Sequence, residues 1–254
     1  MSYRHQAHAA NLSDIVKHLC LSSLRHWPRL ETIWDAYAAT PATAYSQLGH
    51  RQGLLDALMM ARGPQAVTEF QQVVAACRLP GGGPAYPGSS TLLAGFDAVR
   101  TLLLTDTQRR CIEDQKAWFA NCPRPGVEAT VLDSVRAADA VLDRLPDLVF
   151  IDPPFLEQQE WPRVLGLIGR LRQSVPDVRI VLWYPLRDGL ELPAALEAMP
   201  GLRLQASYRP GQGLKGCGVM MLNFEAGLYE TLAPLAAWLG GPGLPGIERV
   251  AWGD

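Results

Sequence analysis

The sequence predicts an α/β fold: a mostly parallel sheet of seven strands that ends in an antiparallel hairpin. Three observations carry the expectation. Apolar runs at 101–104, 128–132, 148–151 and 179–183 are separated by stretches long enough for crossover helices. An earlier run, "ETIW", closes at Asp35 and reads as a first strand. Finally, "LRLQASYRP" and "CGVMMLNF" are joined by a short Gly-rich turn with no helix between them, which is the pattern of a terminal hairpin.

Taken in order, the first element is a helix. Leu12, Ile15, Val16, Leu19 and Leu24 recur at three- and four-residue steps behind Asn11 and Ser13, either of which can cap it. After the first strand, residues 52–77 are helical in pattern, and "RLPGGGPAYPGSS" breaks that pattern. The expected layout is an N-terminal helix and first strand over 1–49, an inserted helical subdomain over 50–92, and the rest of the sheet over 93–254.

Composition bounds the possible functions. With 254 residues, 48% hydrophobic and 19% charged, the chain can bury a sizeable core. A formal net charge of −2 gives no global signature for nucleic acid and leaves room for a local basic face. The chain holds 20 Arg and three Lys, so any such face is arginine-biased. The five cysteines are far apart, with no CxxC pair and no clustered histidines, which points to core thiols in a reducing compartment and to no metal site. No apolar run reaches the ~18 residues of a membrane span. A cytoplasmic protein without membrane attachment is the expectation.

The chemistry concentrates in "LVFIDPPFL". Ligands of open α/β sheets gather beyond the carboxyl ends of the strands, where Asp152 falls. Pro153 and Pro154 fix φ near −65° and remove amide donors, so Asp152 and Phe155 stand on a stiff loop. The carbonyl of Pro153 and the carboxylate of Asp152 are two acceptors beside an aromatic ring. That set suits a flat base bearing an amino group, stacked on Phe155. A strand exit without catalysis remains the plainer alternative for a bare Asp-Pro-Pro.

The motif resembles motif IV of amino-methyltransferases, and the parallel sheet with its hairpin is similar to the Rossmann-like class I fold of methyltransferases that depend on S-adenosyl-L-methionine (SAM). A narrower resemblance starts at "SYRHQAHAANLSDIVKH" (2–18), which is similar to the N-terminal signature of the RlmJ-type 23S ribosomal RNA adenine-N6 methyltransferases. It continues through "YPGS" at Tyr86, "DPPF" at Asp152 and "LWYP" at Leu182. The resemblance implies Asp152, Pro153 and Phe155 as the catalytic loop, and Tyr3, Arg4 and Phe155 as substrate contacts. SAM as cofactor would touch Lys17, His18, Asp35, Tyr37, Ser89, Asp106, Asp133, Ser134 and Asp152. Ribosomal RNA is the implied partner.

Two stretches depart from that pattern. The family reads roughly D-T-H-A-G-A-G-x-Y after the first strand, whereas this chain reads "DAYAATPATAY" from Asp35. Both glycines are missing, Tyr37 replaces the histidine, and Ala39 to Thr43 must make the turn without a residue suited to positive φ. "LNFEAG" from Leu222 replaces an asparagine followed by two prolines. The reading is therefore SAM-dependent N6-methylation of an adenine in 23S ribosomal RNA. The alternatives are a DNA adenine-N6 methyltransferase and a methyltransferase-like binding protein that has lost SAM.

Overall fold

The structure, a computed structural model, describes residues 8–124, 127–133, 141–155, 160–210 and 214–253. In chain order its elements are α1 (Leu12–Ser22), β1 (Thr32–Asp35), β2 (Ala42–Ala44), α2 (Gln52–Met60), α3 (Gln65–Ala76), β3 (Ala85–Pro87), α4 (Ser89–Leu93), β4 (Thr101–Asp106) and α5 (Arg109–Asn121). They continue with β5 (Glu128–Asp133), β6 (Leu148–Ile151), α6 (Glu160–Ser174), β7 (Arg179–Leu186), α7 (Ala194–Glu197), β8 (Gly201–Tyr208), β9 (Gly216–Leu222), α8 (Leu228–Gly240) and β10 (Ile247–Gly253).

The main sheet runs β10-β8-β9-β7-β6-β1-β4-β5. Strands β5, β4, β1, β6 and β7 pair in parallel, and β9 inserts antiparallel between β7 and β8. This is the expected Rossmann-like α/β fold, a mostly parallel sheet with an antiparallel hairpin, with one correction. The sheet has eight strands and not seven, because β10 adds antiparallel to β8. Its sequence, "IERVAWG", is buried at Ile247 alone, so as an edge strand it lacks the apolar run that marks the others. A second, two-stranded sheet pairs β2 with β3, within stretches read from sequence only as a loop and a break.

The central strands are apolar throughout because both faces are covered. All four residues of β6 and all seven of β9 are buried. Helix α6 seats Trp161, Val164, Leu167, Ile168 and Leu171 on one face at helical spacing. On the other side, α1 is buried at every position from Leu12 to Ser22 except Asp14, and its N-terminus is capped by the Asn11 side chain, which accepts from the Asp14 amide at 2.8 Å. A helix buried all round can bring polar groups to an interior site, and α1 does so with Asp14, Lys17 and His18.

The "LNFEAG" stretch has a structural role at the amino ends of the strands. Asn223 sits at φ 60° and donates from Nδ2 to the carbonyl of Val178 at 2.8 Å, while Glu225 takes an ion pair from Arg179 and a hydrogen bond from the Trp27 indole. These bonds tie the end of β9 to the start of β7, away from the DPPF loop. Among the described residues no helix is long and apolar enough to cross a membrane.

Two glycines distinguish tight from open packing. A Cβ at Gly218 of β9 would lie 2.1 Å from the Tyr184 ring, whereas one at Gly166 of α6 meets nothing within 4 Å. Gly218→Ala is expected to destabilise by about 2 kcal/mol or more, as overpacking does. Gly166→Ala should stabilise by about 0.5–1 kcal/mol through helix propensity. Thermal melts of the two variants check both signs.

Candidate active site

The sheet reverses its order of strand addition between β1 and β6, so a crevice opens at their carboxyl ends. Asp35 closes β1 opposite Phe150, and Asp152 leaves β6 two residues later. A cavity of about 360 Å³ lies there, lined by α1 and the turn before it, the Ala39–Thr40 turn, the Tyr86–Ser89 segment, the DPPF loop, the end of β7 and Leu214. A larger groove of about 840 Å³ lies at the opposite ends of the strands. Two of its acids are already paired, Glu69 with His26 across the groove and Glu225 with Arg179 outside it.

At the centre of the cavity stands an ion-paired chain. The Lys17 ammonium lies 2.6 Å from Asp152 Oδ2 and 2.7 Å from Asp14 Oδ1. Asp152 Oδ1 is left without a hydrogen bond among the described residues. Burial alone would lower the Lys17 pKa, but the two carboxylates outweigh it and hold the ammonium protonated above the usual lysine range. Burial pushes the Asp152 carboxyl up, and Lys17 opposes that shift. His18 shares the helix face: its Nδ1 lies 2.9 Å from the Tyr86 hydroxyl, its Nε2 has no hydrogen-bond partner among the described residues, and burial takes its pKa down to about 4. A neutral ring accepting from Tyr86 at Nδ1 directs its own N–H at Nε2 toward Asp14 Oδ1, 3.6 Å away.

The neighbouring strand ends supply three more acids. Asp35 is fully buried. Ser89 Oγ donates to its Oδ2 at 2.6 Å, Oδ1 has no hydrogen-bond partner among the described residues, and burial raises the acid to about 7 against the Ser89 bond. Asp106 and Asp133 face each other in register at the ends of β4 and β5. The Asp106 carboxylate accepts the Gln108 amide at 2.7 Å and the Ala39 amide at 3.1 Å.

The glycine-free turn is accommodated by strain and by straps. Ala39 takes φ 46°, a left-handed conformation that glycine adopts without steric cost. Gln115 donates to the carbonyls of Ala38 and Ala39, and the Pro41 carbonyl accepts the Gly88 amide and the Thr91 hydroxyl. A Cβ at Gly88 would sit 2.2 Å from the Thr40 carbonyl, so the glycine that permits this close approach comes from the "YPGS" segment.

Lys17, His18, Ser89, Asp152 and Phe155 all line the cavity. Asp35 stands behind Ser89, and Asp106 behind Ala39. Tyr37 does not line the cavity and packs instead against the apolar cluster that α6 builds on the sheet, which includes Trp34, Trp161 and Val164. The Phe155 ring is 1% exposed, 4.5 Å from Trp161 between ring centres, with its backbone at φ 44° and its carbonyl bonded to Arg187 at 2.6 Å. It presents no open face, so stacking on a base requires the ring to leave this packing. Tyr3, Arg4 and Ser134 lie outside the described residues, as does the side chain of Asp133. Sequence reasoning did not single out Asp14, Tyr86 or Arg187. Asp14 and Tyr86 stand inside the quoted motifs without a role assigned there, and Asp14 is also spaced three and four residues from Lys17 and His18.

No family model matches the chain, and no curated protein does. Among solved structures it is similar to protein LPL1258 from Legionella pneumophila, of the family DUF519, with a TM-score of 0.76 at 18% identity over 96% of this chain and 97% of that one. At that identity the likeness speaks for the fold alone. Fainter likenesses are to the human methyltransferase 10 domain containing protein (TM-score 0.43, 10% identity, 81% and 78% covered) and to cofactor-bound Rv0187 from MTB (0.43, 15%, 83% and 80%). Nothing further rests on those two.

The raised pKa of Asp35 makes a pH prediction. Between its ordinary value of 3.8 and about 7 the folded protein keeps a proton that the unfolded chain has lost, so Asp35 withdraws stability progressively as pH rises through that window. Asp35→Asn keeps an acceptor for Ser89 and removes the titration. Its melting temperature relative to the unaltered protein should therefore rise between about pH 4 and about pH 8, as paired thermal scans would read.

Proposed function

We propose that the chain is a SAM-dependent methyltransferase of the RlmJ type, acting on N6 of an adenine in 23S ribosomal RNA. The observation that carries the reading is the Asp152 carboxylate. One oxygen is held by Lys17, and the other is left open beside two prolines at the switch point of a methyltransferase fold.

The residues present fit SAM. That molecule brings an ammonium, a sulfonium and ribose hydroxyls. Asp35 Oδ1 is a buried acceptor without a donor, the kind of group an ammonium completes. Asp106 has one amide on each oxygen and retains lone pairs for hydroxyls. Lys17, His18 and Ser89 line the cavity in front of these two acids. When bound, SAM supplies an electrophilic methyl group.

The protein's own part is to hold and polarise the base. Asp152 Oδ1 and the Pro153 carbonyl accept the two amino hydrogens, which turns the N6 lone pair out of the ring plane and disposes the nitrogen to attack. Lys17 opposes the upward shift that burial gives Asp152 and so favours its carboxylate form, the form that accepts on both oxygens. The base must be unpaired or flipped to bring its N6 to Asp152. Burial raises the Cys20, Cys77, Cys111 and Cys217 thiols, which disfavours their nucleophilic thiolate forms.

One observation favours a second reading, a methyltransferase-like binding protein without SAM: the Ala39 amide occupies Asp106 Oδ2, the acid otherwise offered to the ribose. A single assay separates the readings. The purified protein is given SAM labelled on its methyl group together with deproteinised ribosomal RNA or DNA, and N6-methyladenine is measured in each. Label in RNA is expected. Label in DNA alone moves the substrate, and label in neither favours the second reading. Asp152→Asn should lower transfer by about 100-fold or more, the scale of a lost, positioned acceptor. Its melting temperature should stay close to the parent, since Lys17 keeps Asp14 and an amide oxygen still faces it.

A further inference from the structure

Asp14 has no place in the functional reading given so far, yet it makes more contacts with the ionised centre than any neighbour on its helix. Its Oδ1 lies 2.7 Å from Lys17 Nζ and 3.6 Å from His18 Nε2. Its Oδ2 accepts the Ala10 amide at 3.0 Å, where the chain turns into α1 through a left-handed residue, Ala10 at φ 59°. Its own amide is fixed by the Asn11 cap. The side chain is 14% exposed and lines the cavity that holds Asp152. One carboxylate therefore clamps the entry turn of the helix with one oxygen and the partner of the DPPF acid with the other.

We propose that Asp14 is a positioning residue that holds the Lys17 ammonium at a fixed distance from Asp152 and links that distance to the chain turn at Ala10. The role rests on the methyltransferase reading, in which Asp152 must accept the base's amino hydrogens. Lysine is a flexible point charge on a four-carbon stem, and with one carboxylate partner it can follow that partner anywhere. Held between two, it is pinned. Sharing the ammonium also keeps Asp152 from being fully neutralised, so its second oxygen remains a strong acceptor.

Several charged or titratable groups bear on this triad. Lys17 and His18 come from α1, His8 from the turn before it, Asp152 and Asp35 from the strand ends, Tyr86 from β3, and Arg51 from the start of α2. Of these, Asp14 is an anion that raises the Asp152 pKa, and Lys17 is the cation that lowers it. Removing the Asp14 charge leaves Lys17 to Asp152 alone. Both changes move Asp152 the same way, toward a lower pKa.

The test reads Asp152 directly, by the pH titration of its carboxyl carbon in ¹³C-aspartate-labelled full-length protein, unaltered and as Asp14→Asn. The expected result is a lower midpoint in Asp14→Asn. An unchanged or higher midpoint overturns the proposal. Where methyl transfer is measurable, kcat of Asp14→Asn should fall by about tenfold, the worth of one hydrogen bond to a charged group, with the acid limb of its pH profile moved to lower pH. Asn11→Ala serves as the structural control. It weakens the same helix end without touching Lys17, and should lower the melting temperature with no shift of the Asp152 midpoint. If Asp14→Asn does not fold, Asp14→Glu keeps the charge but cannot reach both partners as now placed. Its kcat should fall while the Asp152 midpoint stays with the parent, and a parental kcat overturns the proposal. If the unaltered protein transfers no methyl group, the functional reading fails, and the titration still decides the role of Asp14.

Discussion

The site depends on one buried cation. Lys17 stands in the interior between two carboxylates that burial would otherwise neutralise, at 2.6 Å from one and 2.7 Å from the other. A lone ammonium or a lone carboxylate there would shed its charge. The charges persist because they are mutual. This requirement explains why α1 is buried along nearly its whole length, since only a helix sunk between α3, α4 and the sheet can bring Lys17 level with the end of β6.

The sheet supplies the other half of the constraint. Parallel strands on both sides of the switch point end together, so Asp35, Asp106, Asp133 and Asp152 arrive at one edge from four strands. Such a concentration of acids would be unstable without opposing groups. Ser89 answers Asp35, the Gln108 and Ala39 amides answer Asp106, and Lys17 answers Asp152. Asp35 keeps one oxygen unanswered, which is the clearest sign in the fold of an acceptor reserved for something else.

Much of this was legible in the residues. The helical spacing of Leu12, Ile15, Val16 and Leu19 located α1, and the fully apolar "LVFI" run located β6 and with it the DPPF loop. What escaped was non-local. Strand β10 is half exposed and carries no apolar run, and β2 and β3 are three residues each and pair only with one another. The Lys17–Asp152 contact joins residues 135 apart, so no spacing rule reaches it. Phe155 reads as a plate for a base, yet its backbone turns left-handed and buries the ring on Trp161. The missing glycines of the first loop were visible. That Ala39 would take the glycine-like conformation itself, with Gly88 admitting Thr40, was not.

The central claim is that this ionised cavity is built to receive SAM, and calorimetric titration of SAM into the purified, unaltered protein tests it most directly. The account predicts saturable binding at one site per chain, with S-adenosylhomocysteine competing for it. The absence of any binding heat at millimolar ligand would contradict it, and the Ala39 turn would then be a closure of the site and not a rebuilt wall of it.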